Sequence, residues 1–238
     1  MRSLPTVLFL ALLLIAAPAA ADHHAEAPHD APKEDGFEPL IVNGSIDDWT
    51  QRGGVARYEV EEGDVLVGTA VPKTPNSFLC PPDDVADFDL RFEFKVDPRL
   101  NSGVMFRAQS DPGYRDGRVH SYQSEIDPSD RAWSCGIYDE ARRGWINDLA
   151  DNPAAREAFR PEDWNEVRIR AVGDHIRTWI NGVPAAELVD DTDASGFLGF
   201  QVHSIKGEAD PEPPMQVRWR NLRIKRLDPK RPEPPKTK

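Results

Sequence analysis

The stretch DFDLRFEFKV (Asp87–Val96) alternates almost from end to end. Leu90, Phe92, Phe94 and Val96 fall on one face, and Asp89, Arg91, Glu93 and Lys95 on the other. Successive side chains of a strand point to opposite sides, so this segment reads as a strand with one face in a core and one in water. The same period recurs along the chain. SGVMFRAQS sets Val104, Phe106 and Ala108 against Met105, Arg107 and Gln109. WNEVRIRAVG sets Val167, Ile169 and Ala171 against Arg168 and Arg170, and DHIRTWING sets Ile176, Thr178 and Ile180 against Arg177 and Trp179. GFLGFQVHS sets Leu198, Phe200 and Val202 against Gln201 and His203. In MQVRWRNLRIKRL the apolar register moves from Val217 and Trp219 to Leu222 and Ile224, which predicts a bulge near Asn221. Asn181-Gly182 favours a tight hairpin turn. Many one-sided strands joined by turns predict an all-β sandwich of two antiparallel sheets. A ligand of such a sandwich would lie on the outward, concave face of one sheet. The single helical candidate is Asn152–Phe159, with a proline near its start.

The termini differ from this pattern. Arg2, the apolar run Val7–Ala17 and the small residues Ala19–Ala21 predict a signal peptide over 1–21. That run is shorter than the ~20 apolar residues of a membrane span, and no other stretch could span, so the mature chain is expected to be exported, periplasmic or secreted, with no membrane span. Residues 22–38 read as a polar linker holding His23, His24 and His29, and 228–238 as a Pro- and Lys-rich tail. The folded domain is therefore expected over 39–227. The chain has 238 residues and a net charge of −12. Its acidity argues against a nucleic-acid partner, which calls for a basic face, and is compatible with a carbohydrate small molecule. Cys80 and Cys135 permit one disulfide in an oxidising compartment, or two free buried thiols.

The chemical interest centres on HSYQSEIDP (His120–Pro128). As a strand it shows Gln123, Glu125 and Asp127 on one face, with the two acids ~6.6 Å apart at ~3.3 Å per residue. Such a pair raises one pKa, which suits proton transfer, and it would equally suit a divalent cation. The alternative is a solvated strand face. Arg107 could polarise an oxyanion or form a surface ion pair with Glu93. His203 could shuttle a proton, and His120 could contact substrate or metal. GIYDEARRGWIND reads as a rim loop, with Tyr138, Arg142 and Trp145 as sugar contacts. Trp179, outward in its strand, is a candidate sugar platform, and Gln123 and Gln201 are candidate hydroxyl contacts. Phosphate-loop, Cys-x-x-Cys, His-Glu-x-x-His and Gly-x-Ser-x-Gly motifs are missing from the sequence.

The ordered set LIVNGSIDDWTQRGG, VEEGDVLVG, DFDLRFEFKV, NSGVMFRAQ, YQSEID, GIYDEARRGW, DWNEVRIRAVGDHIRTWINGVPAAEL, GFLGFQVHS and VRWRNLRIKRL resembles the 3-keto-disaccharide hydrolase domain family, with Asn43-Gly44 and Trp49 matching its opening. The resemblance implies a concanavalin A-like jelly roll similar to the glucanases of glycoside hydrolase family 16. It also implies cleavage of 3-keto-glycosides, by hydrolysis or by elimination followed by hydration. One departure matters. Those glucanases carry Glu-x-Asp-x-x-Glu, whereas SEIDPSD offers Glu125, Asp127, Pro128 and Asp130, so their mechanism does not transfer. The expected catalytic set is Glu125, Asp127, Arg107 and His203. The alternative function is a lectin-like binding module without catalysis.

Overall fold

The computed structural model describes residues 36–227. The expected signal peptide, residues 22–35 of the linker and the tail 228–238 lie outside the described residues. The strands are β1 (Glu38–Pro39), β2 (Thr50–Gly53), β3 (Arg57–Glu61), β4 (Val65–Thr69), β5 (Ser77–Cys80), β6 (Phe88–Val96), β7 (Ser102–Ala108), β8 (Ser121–Ile126), β9 (Ile137–Glu140) and β10 (Gly144–Asn147). After the helix α1 (Pro153–Ala158) come β11 (Asn165–Val172), β12 (His175–Ile180), β13 (Val183–Val189), β14 (Phe197–Val202) and β15 (Gln216–Arg226). One sheet runs β13-β12-β11-β6-β15-β4-β3, with β1 added beside β15, and the other runs β10-β9-β8-β7-β14-β5-β2. All the strand pairs are antiparallel. This is the expected two-sheet jelly-roll sandwich.

The alternation decides the layering. Leu90, Phe92, Phe94 and Val96 of β6 join Val104, Phe106, Tyr122, Ile126, Phe200 and Trp219 in one core between the sheets. Each fully buried phenylalanine contributes about 1.5–3 kcal/mol. The helix is where it was expected: Asn152 caps it by accepting from the Ala155 N–H at 3.2 Å, and Pro153 occupies the first turn. Asn181 and Gly182 turn the β12–β13 hairpin with φ of 49° and 79°. The bulge also forms: the β15–β6 register shifts between Arg220 and Arg223, with Asn221 at φ 55°. The folded unit begins slightly before residue 39, since Glu38 already pairs with Ile224 and Phe37 lies against the Arg91 guanidinium at 4.7 Å.

One expectation is corrected here, and one choice left open between a disulfide and two free buried thiols is decided. Val104, Phe106 and Ala108 do not share a face. The β7–β14 register shifts between Phe197 and Gly199, so the stretch from Met105 to Ala108 faces one residue fewer, and Arg107 takes φ 50°. A bulge of this kind puts two adjacent residues on one side. Phe106 and Arg107 both turn inward, and Ala108 turns outward beside Met105 and Phe197. The disulfide does not form either: Cys135 lies in the core between the sheets and Cys80 on the outer face of the seven-stranded sheet. Burial pushes both thiols up to about 12.

Candidate functional site

The outer face of the seven-stranded sheet carries the site, and register alone assembles it. Arg52, Phe78, Gln201, Gly103 and Glu125 are successive partners across β2, β5, β14, β7 and β8. The next row is Gly199, Met105, Gln123, Tyr138 and Trp145. Directly paired residues of antiparallel strands share a face, so Gln123, Glu125, Tyr138, Gln201 and Trp145 stand together. Gly103 is what lets the rows close up. A Cβ there would come within 2.5 Å of the Gln123 side chain, which lies across the glycine and donates from Nε2 to Glu125 Oε2 at 2.8 Å.

Glu125 is 5% exposed. Asn101 donates from Nδ2 to its Oε1 at 2.5 Å. Burial pushes its carboxyl up to about 7; the Asn101 and Gln123 amides oppose that shift, and the nearby charges of Asp127 and Glu140 add to it. Tyr138 is half-buried, and burial with the charges of Glu140 and Glu125 keeps its hydroxyl protonated well beyond neutral pH. Gln201 is fully buried, yet neither atom of its amide has a partner among the described residues, and Gln123 Oε1 has none. A buried polar group left unmade costs about 1–3 kcal/mol, so these amides are unsatisfied groups beneath the surface of the face.

A cleft of about 600 Å³ opens beside this cluster on the same face, walled by Phe78, Arg118, Val119, Glu140, His203 and Ser204 among others; Glu125, Gln123, Gln201 and Tyr138 are not among the residues that line it. Its roof is the β7–β8 connection. Gln109 and His120 exchange backbone hydrogen bonds at 3.0 Å at its base. The Tyr114 hydroxyl and Arg115 Nη1 both donate to the Ala141 carbonyl at 2.8 Å, and Arg118 Nη2 donates to Glu140 at 3.2 Å. Val119 joins Phe78, Cys80, Met105, Ala108 and Phe197 in a second apolar cluster on the outer face. Two of its members, Phe78 and Val119, also line the cleft. His120 packs inside this connection, 4.1 Å from the Tyr114 ring. His203, half-buried just past β14, lines the cleft with Nδ1 2.8 Å from the Ser204 carbonyl oxygen.

The other flank is aromatic. GIYDEARRGWIND is a hairpin, β9–β10, and not a loop as expected. Trp145 meets Trp133 at 5.0 Å and 85° and Tyr138 at 5.3 Å and 73°. A Cβ on Gly136 would lie 3.1 Å from the Trp145 ring, and the Gly136 carbonyl accepts the Glu125 N–H at 3.0 Å. The ledge therefore borders Glu125. The Arg131 guanidinium sits 5.0 Å from the Trp133 ring centre and 5.8 Å from that of Trp145.

Four expected site residues fall elsewhere or are otherwise engaged. Arg107 is 1% exposed and points between the sheets, because of the bulge. It donates to the Ala86 and Gly173 carbonyls at 2.8 Å, to that of Asp193 at 3.3 Å, and to the Asp87 carboxylate, not Glu93, at 3.2 Å. It ties the two layers together. Arg142 bonds Asp139 Oδ1 at 2.8 Å and the Asp193 carboxylate, so it anchors the 190–193 loop to β9. Trp179 lies on the outer face of the other sheet, under the Arg168 guanidinium at 4.7 Å. Asp127 follows the end of β8 and organises the next turn, accepting from the Ser129 N–H at 3.1 Å and Arg131 Nε at 3.0 Å. The cation considered for Glu125 and Asp127 finds no convergent group of three or more His, Cys, Asp or Glu side chains among the described residues.

Asn101, Arg118, Arg131, Trp133 and Glu140 went unpredicted. Asn101 and Glu140 were within reach of the period-two pattern, as Asn101 precedes Gly103 and Met105 by that step and Glu140 follows Tyr138. Arg118, Arg131 and Trp133 sit in connections that carry no period.

Comparison with known proteins agrees with this geometry. A model of the family described as a 3-keto-alpha-glucoside-1,2-lyase-like domain matches residues 36–225. No curated protein matches the sequence. Among solved structures, a protein from Parabacteroides distasonis ATCC 8503 provisionally described as a glycosyl hydrolase superposes with a TM-score of 0.58 at 18% identity, covering 84% of this chain and 100% of that one. A protein of unknown function with a galectin-like fold from Bacillus subtilis gives 0.54 at 14% identity, covering 80% and 94%. A beta-1,3-1,4-glucanase (lichenase) derived from a mouse hindgut metagenome gives 0.51 at 14% identity, covering 80% and 98%. At these identities the likeness is one of fold.

Proposed function

Because the chain belongs to the 3-keto-alpha-glucoside-1,2-lyase-like family, we propose that it cleaves the glycosidic bond of 3-keto-glycosides, with Glu125 as the proton-transferring carboxylate. The observation that carries this reading is Glu125 itself: buried, oriented by two amides, and half-ionised near neutral pH. A 3-keto group acidifies the proton on C2, since the anion formed is an enolate. Glu125 takes that proton as general base. The electron pair forms the C1–C2 double bond as the C1–O bond breaks, and the aglycone oxygen keeps the bonding pair. The sugar product is the unsaturated ketone, and water adding across C1–C2 completes net hydrolysis. A general base near the operating pH supplies about 10²–10⁴-fold.

The neighbours supply the remaining requirements. The protonated Tyr138 hydroxyl is the donor beside Glu125 for an oxygen that gains charge. His203 faces the sugar hydroxyls from the cleft wall, and the Gln123 amide holds the Glu125 carboxylate in place. Val119 and Phe78 give the cleft an apolar wall that suits the face of a sugar ring. Export is part of the same proposal and rests on the Met1–Ala21 leader, which fractionation of producing cells tests. Incubation of the purified protein with a 3-keto-disaccharide, following monosaccharide release and the ultraviolet absorbance of the enone, tests the activity. Binding without turnover would leave the lectin-like alternative standing instead.

A further inference from the structure

Glu125 and Gln201 stand on either side of Gly103 in one cross-strand row, two strand spacings or roughly 9.5 Å apart. With no side chain on Gly103, the Gln123 amide fills the space between them, its Cδ 2.5 Å from where a Cβ would stand. From there Nε2 reaches Glu125 Oε2 at 2.8 Å. Oε1 diverges from it and has no partner among the described residues. The nitrogen and oxygen of an amide have nearly the same shape, so packing alone does not choose between them. Turned over, Gln123 would set a carbonyl oxygen against the carboxylate and withdraw a donor from it. A donor is therefore needed on the Oε1 side. Gln201 is the residue there. It is 0% exposed, and both atoms of its amide also lack partners among the described residues. The two amides do not bond each other directly, and buried groups of this kind are commonly joined by a water making about two to four hydrogen bonds.

We propose that Gln201 is a positioning residue for Glu125: it holds one ordered water that donates to Gln123 Oε1 and so keeps Gln123 Nε2 turned to the carboxylate. This rests on the assignment of Glu125 as the base. A donor on the carboxylate favours the ionised form, which is the form that takes the C2 proton. Gln201, expected from its place in the strand to contact a sugar hydroxyl, acts instead from beneath the face, through Gln123.

The test reads the ionisation of Glu125 from the carboxyl infrared band that Glu125→Gln removes, in wild type, Gln201→Met, Gln123→Met and the double variant. Gln201→Met keeps the length of the side chain and removes its polar atoms. It should raise the ionisation midpoint by about half a pH unit, an about threefold gain in proton affinity. The pH profile of kcat/KM should move with it, and KM should stay unchanged. In the Gln123→Met background, Gln201→Met should do nothing further. No shift, an equal shift with and without Gln123, or a raised KM without a shift overturns the positioning role. An infrared shift that the kcat/KM profile does not follow upholds that role and overturns Glu125 as the base. In wild-type protein carrying isotope-labelled glutamine, a water-to-amide cross-relaxation peak should appear at the Gln201 side-chain NH2. Its absence overturns the proposal even where Gln201→Met does not fold.

Discussion

Glu125→Gln separates a catalytic carboxylate from a buried structural one, because the two roles predict opposite signs for activity and stability. The carboxyl ionises at about 7 in the fold against 4.5 for a free side chain. At ~1.36 kcal/mol per unit, the wild type above pH 7 carries a penalty of about 3 kcal/mol for holding the anion in the sheet. The sign follows from the raised value. The group favours the folded state fully below pH 4.5, and this contribution falls away as pH rises to about 7. Glutamine keeps the shape and never ionises. It also presents an NH2 where the carboxylate accepted from Asn101 or Gln123, losing a hydrogen bond worth about 1 kcal/mol. The variant should therefore be about 2 kcal/mol more stable than wild type at pH 8, raising the unfolding midpoint by several degrees in a domain of this size. That advantage should vanish or reverse at pH 5. Turnover of a 3-keto-glycoside should fall by about 10²–10⁴-fold. Thermal unfolding at the two pH values and a coupled monosaccharide assay read both arms. A variant that keeps activity within tenfold of wild type refutes the catalytic assignment, and one that is destabilised equally at both pH values refutes the electrostatic account.

Wild-type kcat/KM should rise with pH through about 7, since the base acts only when deprotonated; a rate that falls over that range would contradict it. Gly103→Ala should push the Gln123 side chain aside, cutting turnover about tenfold and moving the pH midpoint above that of wild type, because an amide that favours the anion is lost. Arg107→Met should cost about 3–5 kcal/mol in urea unfolding by stranding Asp87 and three carbonyls. Trp179→Ala should leave turnover within twofold of wild type, since its ring lies on the opposite sheet; a large loss would mean that the site has been put on the wrong face.

The sandwich was legible because Leu90, Phe92, Phe94 and Val96 encode their face with a period that nothing local disturbs. The Asn221 bulge was legible for the same reason, as the apolar register itself jumps there. The bulge at Arg107 was not, since Phe106 and Ala108 keep the apolar alternation on paper while the backbone spends an extra residue between them. This hid the inward turn of Arg107 and removed it from the proposed proton-transfer group. At Glu125 the sequence supplied the residue and its face, but not its depth. The near-neutral ionisation comes mainly from burial under side chains that meet only when β7, β8 and β14 pair. The attribution to a repelling Glu125–Asp127 pair was secondary, because Asp127 spends its charge on Arg131 and Ser129. Trp133 and Arg131 lie in a turn whose course depends on that Asp127 contact, and no short-range pattern announces them.

The second apolar cluster has a kinetic meaning. With Val119 seated among Phe78, Met105 and Phe197, and Tyr114 and Arg115 fastened to Ala141, the roof of the cleft is moulded by the same forces that fold the sheet. A ligand entering it would find its walls already ordered. Binding would then cost little loop entropy, and release would not wait on a closing and reopening flap. A cleft walled in this way is preorganised for whatever ligand it takes.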